Sequence, residues 1–587
     1  MASALAELRE HMNTHGLDAY LQPVHDAYMS EYPPEANQRV AFLTGFLGSA
    51  GTVAVLQEKA ALFTDGRYTL QAAGQIDGNL YEVIDSGVTT PEAWLEQQLQ
   101  SGQVVGYDAN LYSAAALRRL SAALDKKQVV LKPVGNLVDA VWPERPAAPA
   151  SPLYAHDVAY SGQDAKEKRA SIVQKIREAG AHALVLASPE SVCWLLNIRA
   201  SDVENTPVAL AYALVTVDGH VKLYVDEARV DAKTKAHLGV DVKLRAPEKL
   251  EQDLQEFKSR VVMLDPASAS VWFSQVLRAA EATILEAPDP CVLPKACKNE
   301  VELKGIRAAH LRDGVAVTKL LYWVDTQAPI GQVTEMEIAE RLLELRKQQA
   351  LFSEPSFPTI AGSGPNGAIV HYRATKQSNR ALQNGELLLL DSGGQYHDGT
   401  TDVTRTLPIG TPSDEHIDRN TRVLKGHIAI ALARFPDGTA GSQLDSLARQ
   451  YLWEIGLDYE HGTGHGVGQF LGVHEGPQRI SKRGGDCKLM PGMVISNEPG
   501  YYQNGGYGIR IENLVVVVEK SGGKKPYFGF ETLTCVPIDT RLVNAAMLSE
   551  AEKAWLNTYH AWVHQQLKPS LSEAEQAWLA ERCNALI

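Results

Sequence analysis

Four acidic side chains and a histidine-dense loop in the C-terminal half of this chain have the residue types that hydrolytic chemistry needs. The loop is YEHGTGHGVGQFLGVHEGP, Tyr459 to Pro477, with His461, His465 and His474 in a chain that has 17 histidines over 587 residues. Asp391 and Asp402 lie in LLLLDSGGQYHDGTTDVTRT, on either side of a glycine-bearing loop. If that loop centres near Tyr396, the two carboxylates face each other roughly across an antiparallel ladder. Like charges placed opposite one another destabilise a sheet, and Asp is a poor strand former. Such a pair requires a cation between its members or a raised pKa. Asp398, beside Gly399, reads as a turn residue.

In GIRIENLVVVV, a period of two puts Ile509 and Ile511 on one face and Arg510 and Glu512 on the other. A Glu leading into valines is costly unless it is paired or metal-bound; a surface Arg–Glu pair is the plain alternative. Arg510 is placed to orient a neighbouring carboxylate. Glu498, in ISNEPG, ends a strand before a Pro-Gly turn and is unremarkable alone. Asp391, Asp402, Glu498 and Glu512, with one or more of the histidines, make a hard, oxygen-rich ligand set. It suits two divalent cations better than one, and Mn(II) better than a thiolate-type zinc site. Two ions about 3.5–4 Å apart can share a hydroxide and clamp a tetrahedral intermediate.

The elements that must carry these residues are short strands with hairpin-type glycines, antiparallel in pattern. They follow a long helical stretch, KNEVELKGIRAAHLRDGVAVTKLLYWVDTQ, with apolar residues every three or four positions. Upstream, VWPERPAAPASP (141–152) has the prolines of an extended linker, and APDPCVLPKACKNE (287–300) marks a second boundary. Three segments result: 1–150, 151–295 and 296–587. The first two look like a weak repeat, ALAELREHMNTHGLDAYLQP over RASIVQKIREAGAHALVLAS. Helix, glycine stop and buried strand predict α/β domains, so the fold class is α/β for these two and α+β for the third.

Bulk properties narrow the function classes. A net charge of -14 argues against nucleic acid as partner, and no apolar run reaches the ~18–20 residues that span a bilayer. The N-terminus reads as an amphipathic helix and not a signal peptide. Six cysteines without CxxC spacing predict reduced thiols in a cytoplasmic protein.

The ordered set LLLLDSGGQYHDGTTDVTRT, HGTGHGVG, SNEPG and IRIEN resembles the pita-bread metallopeptidases: methionine aminopeptidase, prolidase and aminopeptidase P. The segments FLTGFLGSAGTVAVLQEKAALFTDGRYTLQAA, CWLLNIRASDVENTPVALAYALV and FPTIAGSGPNGAIVHY extend the resemblance to the three-domain cytosolic Xaa-Pro aminopeptidases, across nearly the whole chain. It implies two creatinase-like N-terminal domains before a pita-bread catalytic domain, and a homodimer acting on peptides with proline second. It implies that Asp391 holds one metal, that Asp402 and Glu512 bridge both, and that His465 and Glu498 bind the other. Glu498 would also shuttle a proton. His371 and His474 match histidines that contact substrate and steady an oxyanion, and His461 matches one lining the proline-side pocket. Arg67, in TDGRY, matches a substrate contact from the N-terminal domain, and Tyr372 and Arg510 stand behind the ligands. Asn497 departs from the Asp that often precedes the EPG motif, which removes a charge and no ligand. The nine-residue step from His465 to His474 is two longer than in compact prolidase-type members. A dipeptide-restricted prolidase is the nearest alternative; a creatinase-like C–N hydrolase and a catalytically dead binding module are the more distant ones.

Overall fold

The computed structural model describes residues 1–484, 486–522 and 525–587. The chain forms two compact units. The first comprises Met1–Val158 and Gln163–Val292, the second Ala159–Gly162 and Leu293–Ile587.

In the first unit the sequence repeat becomes two six-stranded sheets of one topology. Helix α1 (Ala2–Thr14) buries Ala4, Leu5, Leu8 and Met12, one face of a 3.6-residue period. The chain then turns at Gly16 with φ of 62°, a left-handed geometry that glycine adopts without strain. Helix α2 (Ala165–Glu178) starts where the Asp164 carboxylate accepts the Lys166 N–H, and it buries Ile172, Val173 and Ile176. The first sheet contains β1 (Ala19–Pro23), β2 (Thr52–Leu56), β3 (Ala60–Thr64), β4 (Glu82–Asp85), β5 (Val104–Tyr107) and β6 (Val130–Pro133). The second contains β7 (Ala183–Leu186), β8 (Tyr212–Thr216), β9 (Val221–Tyr224), β10 (Val242–Arg245), β11 (Val261–Leu264) and β12 (Thr283–Glu286). Their orders are β4-β3-β2-β1-β5-β6 and β10-β9-β8-β7-β11-β12. β1 and β7, buried at every position, each pair with an antiparallel neighbour on one side and a parallel one on the other. Residues 145–152 form neither helix nor strand.

In the second unit, helix α3 (Glu300–Gln327) opens with a capping box. Asn299 Oδ1 accepts from the Val301 and Glu302 amides, while Glu302 Oε2 accepts from the Asn299 amide. α3 and α4 (Glu335–Lys347) pack Leu320, Leu321, Val324, Ile338 and Leu342 against Leu388, Leu390 and Leu407. Those leucines belong to an antiparallel sheet of β13 (Ile360–Ser363), β14 (Leu387–Ser392) and β15 (Val403–Pro408). A four-stranded sheet contains Arg434–Pro436, β17 (Val494–Asn497), β20 (Asn513–Lys520) and β21 (Tyr527–Thr532), with β16 (Gly464–His465) beside β17. β18 (Gly500–Gln503) and β19 (Tyr507–Arg510) form a two-stranded ribbon. Helix α5 (Asp414–Ala431) contributes Val423, Leu424 and Ile428 to a further core with Ile509 and Ile511.

Two local expectations are corrected. Asp391 pairs with Thr404 and not with Asp402, because Tyr396 pairs with Gly399 and the turn therefore sits at His397 and Asp398. Asp402 lies just before β15, two positions short of the one opposite Asp391. Nor is the Arg510–Glu512 stretch one strand. β19 ends at Arg510 and β20 begins at Asn513, so the chain changes sheets at Ile511 and Glu512. Asn497 pairs with Asn513 and Gly500 with Arg510; this common register leaves Glu498 facing Glu512 at the crossing. The opposed, like-charged pair is made by two glutamates and not by two aspartates.

Candidate active site

The acids meet where three antiparallel systems end. β14 delivers Asp391, and the approach to β15 delivers Asp402. The crossing between the four-stranded sheet and the ribbon delivers Glu498 and Glu512. β16 brings His465, whose amide donates to Ser496 Oγ at 2.9 Å. Its Nε2 lies 3.5 Å from Asp402 Oδ2 and 3.4 Å from Glu498 Oε1. Ligand atoms of Asp402, His465 and Glu512 all lie within 4.8 Å of one another.

Three features of this cluster demand a cation. Asp391 Oδ1, Asp402 Oδ1 and Glu512 Oε1 are buried and have no hydrogen-bond partner among the described residues, a costly state for a carboxylate oxygen. Burial, then the charges of Asp391 and Glu498, push the Asp402 carboxyl far above its ordinary range; burial, then Asp402 and Glu498, do the same to Glu512. Finally, His465 Nδ1 lies 3.0 Å from the Gly466 carbonyl, which as acceptor requires a proton on that nitrogen. Its Nε2 is thereby the ring atom turned towards two carboxylates, so the three groups can share one cation. Oxygen donors with one imidazole fit hard divalent ions.

Arg510 is the buried cation of the cluster's rim. Its Nη2 donates to Asp391 Oδ2 at 2.6 Å, and its Nη1 donates to the Tyr502 hydroxyl at 2.5 Å. Tyr502 in turn meets His461 Nε2 at 2.8 Å, while His461 Nδ1 lies 2.8 Å from the Gly462 carbonyl. Burial pushes the Tyr502 phenol up to about 12, so it keeps its proton and donates to the imidazole. Asp391, Arg510, Tyr502 and His461 thus form one relay. Arg510 also reaches the Val370 carbonyl at 3.4 Å, beside His371, and the adjacent Tyr372 donates to buried Glu335 at 2.8 Å. The His474 ring stands edge-on to that of His465 with centroids 4.3 Å apart.

Arg67 belongs to the first unit and follows β3, where its Nε and Nη2 donate to the two Asp65 oxygens, each at 2.8 Å. Asp398 forms an ion pair with Arg312 at the hairpin turn. Sequence reasoning passed over Tyr502 and Thr404. Thr404 Oγ1 donates to Glu512 Oε2 at 2.8 Å and receives Arg510 Nε at 3.2 Å. Period two from Asp402 in TTDVTRT would have pointed to Thr404. Tyr502, four residues beyond Glu498, carries no such signal.

Asn497 also has a structural explanation. Its Nδ2 donates to the His427 carbonyl on α5 at 2.9 Å, and its own carbonyl lies 3.0 Å from His427 Nδ1. A carboxylate at this position could not donate to that carbonyl. Asn513 Nδ2, from the opposed position, meets His427 Nε2 at 3.2 Å, so one neutral imidazole ties together the strand ends that lead to Glu498 and Glu512.

A buried cluster of four carboxylates and one imidazole on an antiparallel frame has the donors of a metal-dependent hydrolase. Residues 304–519 match the model of metallopeptidase family M24, and 526–586 match the C-terminal region of peptidase M24. Residues 5–141 and 144–302 each match a creatinase/prolidase N-terminal domain. Aminopeptidase P2 of Arabidopsis thaliana is 41% identical over 95% of this chain and 84% of its own length. A probable Xaa-Pro aminopeptidase P of Coprinopsis cinerea is 42% identical over 97% of this chain and 95% of its own. The crystal structure of an X-prolyl aminopeptidase from Caenorhabditis elegans, described as a cytosolic enzyme with a di-nuclear active site, superposes with TM-score 0.96 at 35% identity, covering 100% of this chain and 99% of that one. A Xaa-Pro dipeptidase from Bacillus anthracis, at 24% identity and TM-score 0.52, covers only 64% of this chain and shares the fold. The chain belongs to metallopeptidase family M24, in its Xaa-Pro aminopeptidase P group.

Proposed function

We propose that this chain removes the N-terminal residue from peptides whose second residue is proline. In this reading Asp391, Asp402, His465, Glu498 and Glu512 hold two divalent ions, Mn(II) by the hardness of the donor set. The observation that carries it is the approach of the Asp402 and Glu498 carboxylates to His465 Nε2, in a cluster where Asp391 Oδ1, Asp402 Oδ1 and Glu512 Oε1 are buried without a hydrogen-bond partner among the described residues. When bound, the ions supply Lewis acidity and a water of lowered pKa. Arg510 orients Asp391. Glu498 accepts the proton of the attacking water and returns it to the departing proline nitrogen. His474 and His371 donate to the oxygen that gains charge as the carbonyl is attacked. His461, held by Tyr502, lines the proline side. The reading includes a homodimer in the cytoplasm. No helix of the described residues is long and apolar enough to cross a membrane.

Elemental analysis paired with cleavage assays tests this proposal. About two ions per chain are expected, with an Xaa-Pro-Xaa tripeptide cleaved and Gly-Pro left largely intact. Preference for the dipeptide would favour prolidase chemistry; no cleavage of either would remove the peptidase reading.

A further inference from the structure

Glu475 directly follows His474, and its carboxylate lies between two lysines from the segment that opens the second unit. Lys295 Nζ is 2.6 Å from Oε2, and Lys298 Nζ is 2.9 Å from Oε1. The side chains of Lys295, Lys298 and Glu475 are 5%, 1% and 3% exposed. Lys298 Nζ also donates to the Lys295 carbonyl at 2.7 Å. Two cations on one anion leave positive charge in the interior, an arrangement that rarely adds net stability over an apolar trio. It does impose one geometry, because each charge is strongly disfavoured anywhere else in its surroundings.

The backbone around the triad is equally constrained. The Glu475 amide donates to the Gly466 carbonyl at 2.8 Å, and the Gly466 amide donates to the Gln478 carbonyl at 3.1 Å. A Cβ on Gly466 would sit 2.0 Å from the Glu475 carbonyl oxygen, so the loop closes tightly on the residue after His465. On the lysine side, the Lys298 amide donates to the Gly492 carbonyl at 3.0 Å, and Cys297 bridges Met493, the residue before β17. The triad therefore joins the segment bearing His465 and His474 to the strand that leads to Glu498.

We propose that Glu475, clamped by Lys295 and Lys298, is a positioning residue that sets the His474 imidazole against the reacting carbonyl. The inference rests on the oxyanion role given to His474 above. Misplacement of a group used only in the transition state lowers kcat and leaves KM alone.

The test is a double-substitution cycle on the metal-loaded full chain, with a tripeptide substrate, well below the unfolding temperature. Glu475→Gln is expected to lower kcat by ~10–100-fold with KM within about threefold. In the His474→Ala background the same change is expected to cost less than about twofold, because the residue it acts through is gone. Losses that multiply, or a kcat for Glu475→Gln within about twofold of the parent, overturn the proposal. Should Glu475→Gln yield too little folded protein, Lys298→Met completes the same cycle. A readout independent of turnover is the His474 imidazole signal in 13C-labelled protein, assigned by its loss in His474→Ala. It is expected to shift or split in Glu475→Gln. An unmoved signal also counts against positioning, whereas a moved signal in a parent that cleaves no peptide would sink the activity and spare the clamp.

Discussion

Arg510 and Asp391 are 119 positions apart, yet Nη2 of one donates to Oδ2 of the other at 2.6 Å with both side chains buried. The pair fixes which Asp391 oxygen faces the cation site. Arg510→Lys keeps the charge but loses the planar fork that also holds Tyr502. It is expected to lower kcat by about 10–100-fold with KM little changed. Tyr502→Phe, which cuts the relay to His461, is expected to cost about tenfold. Steady-state kinetics on protein of unaltered circular dichroism measures both.

Asp402 offers the tightest test of the ligand set. Asp402→Ala is expected to abolish hydrolysis and metal uptake, a loss beyond the ~10–100-fold typical of an outer-shell partner. Elemental analysis beside the activity assay reads both quantities. Full activity in this variant would remove the site assignment.

Chelation should inactivate the enzyme and lower its thermal midpoint, because the buried carboxylates then repel one another. Mn(II) is expected to restore activity better than Zn(II). An ion at about a hundred times its Kd adds roughly 2.7 kcal/mol to folding, which calorimetry would detect as a raised midpoint. A metal-free preparation that stays active refutes the assignment.

Two buried histidines predict acid lability. Burial, then the nearby Arg405 charge, lower His427 to about 3 and His560 to about 4, from an ordinary 6.5. Between those values and 6.5 the unfolded chain holds protons that the folded one does not, so stability falls as pH drops. Each such group contributes up to ~1.4 kcal/mol per pH unit. Urea unfolding from pH 6.5 to 4 should show this fall, and His560→Gln should make it shallower by about one proton.

Asn497→Asp tests the neutral histidine clamp. It sets an acceptor against the His427 carbonyl and is expected to destabilise the fold by about 1–3 kcal/mol. The His427 pKa should rise as well, measurable by NMR titration.

The repeat of helix, glycine stop and buried strand was legible in residues 4–23 and 169–188, because local periodicity and a left-handed glycine are properties of short windows. The long helix at Glu300–Gln327 announced itself in the same way. The type of chemistry was legible too: carboxylates set among Leu, Val and Thr are anomalies whose cost is set by composition alone.

What the amino-acid order could not decide was register and partnership. Shifting the hairpin turn to His397 and Asp398 moved Asp402 off the position opposite Asp391, and a sheet crossing at Ile511 and Glu512 brought Glu498 and Glu512 face to face. Tyr502 became part of the relay, and Glu475 the anion of two lysines some 180 residues away, only because distant strands pack together. Local sequence sets the energy of each residue in its own window. Which buried charge answers which is settled by long-range contacts, and these exist only in the folded chain.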